Sequence, residues 1–340
     1  MGLSLYPPIP IASLHNMKRF ARAAIPLLGC VFLACAGSAK PPTVHSGMAG
    51  ASAAVNLGEG RFAVANDEDN RIRIYRAGEP GGPEAEADFS RFLQVHGRNT
   101  EADIEGAARI GDRIYWIGSH GLSKDGKARP NRHRFFATDI VTAASGPPNL
   151  IPVGKPCVDL LNQLASSAIQ PELDLSRAMA LPPNEPGGLN IEALSAGPDG
   201  ALFVGFRSPI PSKLAILVPL LNPAEVVEGK PARFGKPLRL DLDGRGIRDL
   251  VWDGHRWYLL GGGGGGEDRK TRLYRWDGPG RAATPIATKG LKGLNPEAIT
   301  LLGSGEDASL FICSDDASGP GGLSASRTFR SLRLPLKDAH

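Results

Sequence analysis

One phrase recurs along the chain: a carboxylate, a short apolar run, a tight turn, a second apolar run and a polar tail. It reads DIEGAARIGDRIYWIGSH from Asp103, NIEALSAGPDGALFVGFR from Asn190 and NPEAITLLGSGEDASLFICSDD from Asn295. A fourth copy, RDLVWDGHRWYLLGG from Arg248, aligns Asp249 with Glu105, Glu192 and Glu297. From each acid to the polar end of the next run is about fourteen to seventeen residues, the length of a strand, a turn and a returning strand. Repeated hairpins set radially make a propeller, so the expected fold is all-β, a single β-propeller. If each copy opens an innermost strand, the acids gather at one mouth of a central channel.

Five blades are expected. The first spans about 48–96 and has no leading acid; its segments RFAVAND and RIRIYRA lie around the turn Glu68-Asp69-Asn70. The others begin at Asp103, Asn190, Gly246 and Leu294. The last unit lacks a fourth strand, which residues near Val44 could supply by closing the ring from the other terminus. A sixth blade could hide between Val226 and Leu242. Residues 154–188 read as an insertion with one short helix, from the spacing of Val158, Leu161 and Leu164, that mainly shields apolar surface.

Before composition can be used, the start must be separated from the 40–340 propeller domain. Met17 reads as the initiator of a leader: Lys18, Arg19 and Arg22 precede an apolar Ala23–Leu33 segment, and small residues follow to Ala39. This segment is too short to span a bilayer, which takes ~20 apolar residues, so the mature protein is expected in the periplasm or secreted, without a transmembrane anchor. The cysteines Cys30 and Cys35 leave a lipoprotein as the alternative. Removing residues 1–36 takes away three basic residues and no acids, so the formal charge of +4 falls to +1. Near neutrality gives no footing for nucleic acid. Two cysteines remain, Cys157 and Cys313; separate thiols are expected, and a disulfide stays open. The working expectation is a monomer.

The chemistry rests on the acids. Glu105, Glu192, Asp249 and Glu297, with Asp103, Asp315 and Asp316, would repel one another unless metal, arginine or protons compensate them. His120, Arg132, Arg207 and Arg248 sit at or near the ends of the same repeats. In an architectural reading the acids lock neighbouring blades. In a functional one Glu105, Glu192, Glu297 and His120 do acid–base work, Arg132, Arg207 and Arg248 bind a small anionic ligand, and Asp249, Asp315 and Asp316 hold Ca²⁺. Other chemistries lack their signatures. There is no GxSxG elbow and no HExxH, the histidines lack zinc spacing, and the glycine run at 261–266 lacks a P-loop's Lys-Ser/Thr ending and reads as a flexible hairpin tip.

The phrases IEGAARIGDRIYWIGSHGLSKDGKARPNRHRFF, LNIEALSAGPDGALFVGFRSP, IRDLVWDG, LYRWDG, NPEAITLL and SDD resemble, in order, the bacterial domain-of-unknown-function family numbered 3616. That resemblance implies a propeller in an often exported protein. It also implies Glu105, Ser119, His120, Arg132, Glu192, Arg207, Arg248, Asp249, Glu297 and Asp315 as signature residues. More distantly, the acid-led hairpin is similar to exported esterase-like phytases, which implies Ca²⁺ and phosphate-ester hydrolysis. Here Ala193, Ala298 and Leu250 depart from the glycine that those proteins carry after the acid; Gly106 keeps it. Two functions are therefore expected in competition: a calcium-assisted hydrolase of a small phosphate or carboxylate ester, and a binding propeller without turnover.

Overall fold

The computed structural model describes residues 41–265, 270–316 and 327–339. The segment expected to be a leader, including Met17, Cys30 and Cys35, lies outside the described residues, as does Gly266 at the end of the glycine run. Among the described residues no helix is long and apolar enough to cross a membrane.

Alternating and continuous apolar runs separated by glycine turns form five four-stranded antiparallel sheets. Their first strands are Ala53–Gly58, Ile104–Ile110, Asn190–Ala196, Gly246–Trp252 and Pro296–Leu302. Each touches the next, and the fifth returns to the first, so these are the inner strands of a closed five-bladed propeller. Closure occurs as expected near Val44: Thr43–Ser46 pairs antiparallel with Thr328–Pro335 and completes the fifth blade. His45 pins it, with its ring 4.8 Å from that of Phe329 and its Nε2 2.8 Å from Ser331 Oγ. The region weighed as a sixth blade instead holds the Pro223–Val227 helix and Leu238–Asp241, the outer strand of the third blade.

The core is divided among the gaps between blades. Five apolar clusters each join two neighbouring sheets; Trp116 and Phe136 meet the first blade, for example, and Phe62 meets Phe311 of the fifth. Emptying one such position, as in Phe62→Ala, would cost about 3–5 kcal/mol.

Between the second and third blades the insertion differs in detail from expectation. The outer strand of the second blade runs Asn149–Cys157, so the insertion begins at 158 rather than 154. It carries three short helices, Leu160–Ala165, Gln170–Leu173 and Leu175–Ala178. Val158 is exposed, whereas Leu160, Leu161, Leu164, Leu173 and Leu175 are buried in the cluster shared by the two blades. Shielding of apolar surface is its observed role. Cys157 and Cys313 are free thiols, on the outer strand of the second blade and the second strand of the fifth.

Candidate functional site

The inner strands begin with a break in their pairing. In the second, third and fifth blades the register slips between Ile104 and Gly106, Ile191 and Ala193, and Pro296 and Ala298, so Glu105, Glu192 and Glu297 are bulged residues. A bulge leaves its extra residue outside the ladder and re-aims its side chain. In the fourth blade the slip falls between Ile247 and Asp249, and the bulged residue is Arg248. This corrects the sequence alignment by one position: Arg248 is the counterpart of the three glutamates, and Asp249 stands in register with Gly106, Ala193 and Ala298. The bulges therefore present glutamate, glutamate, arginine and glutamate in successive blades. The first blade pairs regularly at this end, Ala53 with Ala65, and has no bulge there.

Arg248 joins the set. It pairs through Nη2 with Glu297, donates from Nη1 to Asn295 Oδ1 at 3.1 Å and lies 3.6 Å from Glu192 Oε2. Its neighbour Gly262 makes room for it, since a Cβ there would stand 2.6 Å from Arg248 Cδ. The first glycines of the run thus belong to a strand and to tight packing rather than to a flexible tip: Gly261 and Gly262 end the strand Trp257–Gly262, and Gly263 O accepts a 2.7 Å bond from Arg207 Nε. Arg207 Nη1 then donates to Glu192 Oε1 at 2.6 Å, which also accepts from Asn190 at 2.8 Å. A continuous line, Arg207–Glu192–Arg248–Glu297, ties three blades together. The negative charge of Glu192 holds the Arg207 guanidinium more firmly protonated, whereas burial pulls Arg248 downward.

Glu105 stands apart from that line. Among the described residues it has no hydrogen bond or ion pair, although Arg207 acts on it electrostatically. Burial first, and then the charges of Asp103, Glu192 and Asp67, push its carboxyl well above the usual range. Asp67, just beyond the second strand of the first blade, was not singled out from the sequence because that blade has no leading acid. Its side chain touches solvent and has no ion pair among the described residues. The surrounding protein and the charges of Asp103 and Asp315 raise it to about 7. The polar tail of AVANDED was the one available signal.

The remaining candidates have other duties. Asp103, at φ 53°, accepts a short hydrogen bond from Ser119 Oγ and faces Arg132 Nη1 at 3.1 Å; burial raises its pKa, and these partners oppose the rise. Arg132 is thereby committed to Asp103 and to Leu122 O. His120 does not reach the carboxylates. It is 2% exposed, its Nδ1 lies 2.8 Å from Gly118 O, and its ring centroid is 5.4 Å from that of His133; burial lowers its pKa to about 3. Asp249 accepts from Leu250 N at 2.8 Å and from Ile299 N, across the blade boundary, at 2.7 Å. Burial drives its pKa far up despite those two bonds. Asp316 is gripped by Arg330 Nε and Nη2 at 2.9 and 2.6 Å and by Ser314 Oγ. Asp315 is buried beside the mouth, with its backbone N–H on Asn295 O.

Among the described residues no three His, Cys, Asp or Glu side chains are grouped as a metal set. Ca²⁺ takes ~6–8 oxygen ligands, and here the oxygens of Asp249 and Asp316 already accept hydrogen bonds while Glu192 and Glu297 face arginines. The residues present do not fit a calcium cage.

At the other end of the inner strands lies a cavity of about 280 Å³, lined by three consecutive residues from each, such as Ala54–Asn56 and Ile299–Leu301. Its lining begins two residues beyond the bulged positions of the second to fifth blades and consists mostly of apolar residues. Its charged member, Arg109, donates to Gly111 O, Asn56 O and Asp112.

Solved structures are similar to this chain at low identity. A glutaminyl cyclase from Myxococcus xanthus is similar at 12% identity and a TM-score of 0.46, covering 88% of this chain and 96% of its own. A GH43_1 enzyme from Xanthomonas citri, complexed with xylose, is similar at 15% identity and a TM-score of 0.43, covering 85% and 87%. No curated protein matches the sequence. The family model described as protein of unknown function (DUF3616) matches residues 50–143 and 159–315, blades and bulges included, and the chain belongs to that family.

Proposed function

We propose that the bulged mouth is the active site of a hydrolase of small polar esters, with Glu105 carrying the proton. The observation behind this reading is the contrast between two residues at the same bulge position. Glu192 accepts a 2.6 Å bond from Arg207 and lies 3.6 Å from Arg248, whereas Glu105 has no partner among the described residues and its pKa is driven upward. A carboxyl group whose surroundings raise its pKa is suited to act as a general acid. Water adds to the carbonyl carbon or phosphorus and loses a proton to solvent. The bond to the leaving oxygen breaks, and Glu105 gives its proton to that oxygen and is reprotonated afterwards. Arg207, whose Nη2 has no partner among the described residues, would face the developing negative charge.

Calcium, to which the phytase resemblance points, stays outside this step. Turnover should survive chelation; chelator-sensitive turnover would return the ion to the mechanism. Export to the periplasm or medium and action as a monomer complete the proposal.

A second reading, a binding propeller without turnover, is favoured by the Arg207–Glu192–Arg248–Glu297 line, which suffices to bind blades together. A panel of phosphate and carboxylate esters separates the two. Turnover that disappears in Glu105→Gln while the melting temperature holds supports the hydrolase. A fully active Glu105→Gln protein contradicts the role given to that residue, and absence of turnover across the panel favours the binding reading.

A further inference from the structure

One buried ring nitrogen in the second blade keeps a bare lone pair. His120 lies just beyond the strand Arg113–Gly118 and is 2% exposed. Its Nδ1 is 2.8 Å from Gly118 O. A carbonyl oxygen only accepts, so Nδ1 carries the hydrogen and Nε2 is the acceptor of a neutral ring. Among the described residues Nε2 has no hydrogen-bond partner. A buried acceptor left unmatched is costly, and an imidazole whose one N–H is fixed on a backbone carbonyl has its other nitrogen set up to take a metal ion.

A second imidazole stands beside it. His133 closes the turn Pro130–Arg132, just ahead of the neighbouring strand Phe135–Val141, and its ring centroid is 5.4 Å from that of His120. Two imidazoles sharing a tetrahedral ion at the usual bond of ~2.0 Å have centroids about 5 Å apart. His133 is half-buried, which gives the pair a route to solvent. The charges around the rings compete: Arg134 opposes positive charge on both, and Asp159 favours it on His133. Charge alone would not hold a cation there, whereas an ion that bonds strongly to neutral imidazole needs no carboxylate cage. We infer that His120 and His133 bind one divalent transition ion of the Zn²⁺ or Cu²⁺ kind, with its remaining positions open to water or a small ligand. The two residues are far apart in sequence and are joined by adjacent strand ends, so no short ligand spacing announces them. The site stands independently of the hydrolase reading.

The test uses the full chain and the metals alone. Calorimetry with Zn²⁺ and, separately, Ca²⁺ should show a saturable Zn²⁺ site without a Ca²⁺ site of similar strength. His133→Gln should weaken Zn²⁺ binding about a hundredfold. Zn²⁺ should also raise the unfolding temperature of the wild type and leave that of the variant unmoved. His133 is half-buried, so the metal-free variant should unfold near the wild type, which is measured alongside. Electron paramagnetic resonance of the wild type with Cu²⁺ needs no variant, and couplings from two imidazole nitrogens are expected. Absence of saturable Zn²⁺ binding, Ca²⁺ binding of equal strength, undiminished Zn²⁺ binding in His133→Gln, or Cu²⁺ held by oxygen alone would each overturn the inference. None of these readings uses ester turnover, so each leaves the hydrolase proposal to its own test.

Discussion

The two ends of the same five inner strands have opposite characters. At their starts, four bulges push Glu105, Glu192, Arg248 and Glu297 out of the ladder. At their far ends the ladders run regularly in four of the blades, the lining is mostly Ala, Val, Leu and Ile, and the cavity there carries one spoken-for arginine. Cavity volume and the charged cluster therefore lie at different ends. A slip of one residue in register sets the latter, because it redirects one side chain in each of four blades out of the ladder. The same contrast separates the first blade, which has no bulge at this end, from the other four, and that blade contributes Asp67 from a strand end instead.

Removing the arginines' partners should break this comparison most severely. Glu192→Gln with Glu297→Gln would strand the Arg248 guanidinium, 7% exposed, without a counter-charge, and should cost about 3–5 kcal/mol in denaturant unfolding. Next is Asp249→Ala, which leaves the N–H groups of Leu250 and Ile299 unmatched at a blade boundary; a loss of about 2–3 kcal/mol is expected by the same measurement. Gly262→Ala forces Arg248 off its path and should cost about 1–2 kcal/mol while weakening ligand binding. At the far end, Thr300→Val removes the 3.1 Å bond from Asn56 N–H to Thr300 Oγ1; about 1 kcal/mol should be lost and turnover at the bulged mouth kept.

Glu105→Gln is expected to have the smallest effect on stability, and its signature is in the pH dependence. A carboxyl whose pKa is raised by folding holds its proton more tightly in the native state, so its contribution to stability is lost as pH rises from the ordinary carboxylate range through the folded value. Thermal unfolding between pH 4 and pH 8 should therefore fall less steeply with pH in Glu105→Gln than in the wild type, ~4.3 being the usual glutamate pKa. Parallel curves would show that Glu105 is an ordinary surface carboxylate.

Much of this was legible in the sequence because hairpin length and turn chemistry are local. The acid-led phrase marked four inner strands, and the short fifth unit pointed to a closing strand near Val44. Pairing register is not local. Aligning RDL with IEA put Asp249 at the glutamate position, and only the partner strand shows that Arg248 takes it. For the same reason the glycine run looked like a free tip, although Gly262 is small because Arg248 crosses it. His120 looked suited to the mouth by its place in the repeat, but a positive φ of 56° turns its ring against His133 instead. Which acids were neutralised was equally hidden where a pair crosses blades, as Arg248 does to Glu192 and Glu297, whereas Glu192 and Arg207 share one hairpin.

The central claim is that bulge geometry leaves one glutamate of three uncompensated. Carbon-detected NMR titration of the full chain with ¹³C-labelled glutamate side chains, with Glu105→Gln for assignment, tests it directly. The account predicts that the Glu105 carboxyl titrates well above ~4.3 and that its resonance vanishes in the variant. A Glu105 signal titrating in the ordinary range would contradict the account, and with it the proton-carrying role.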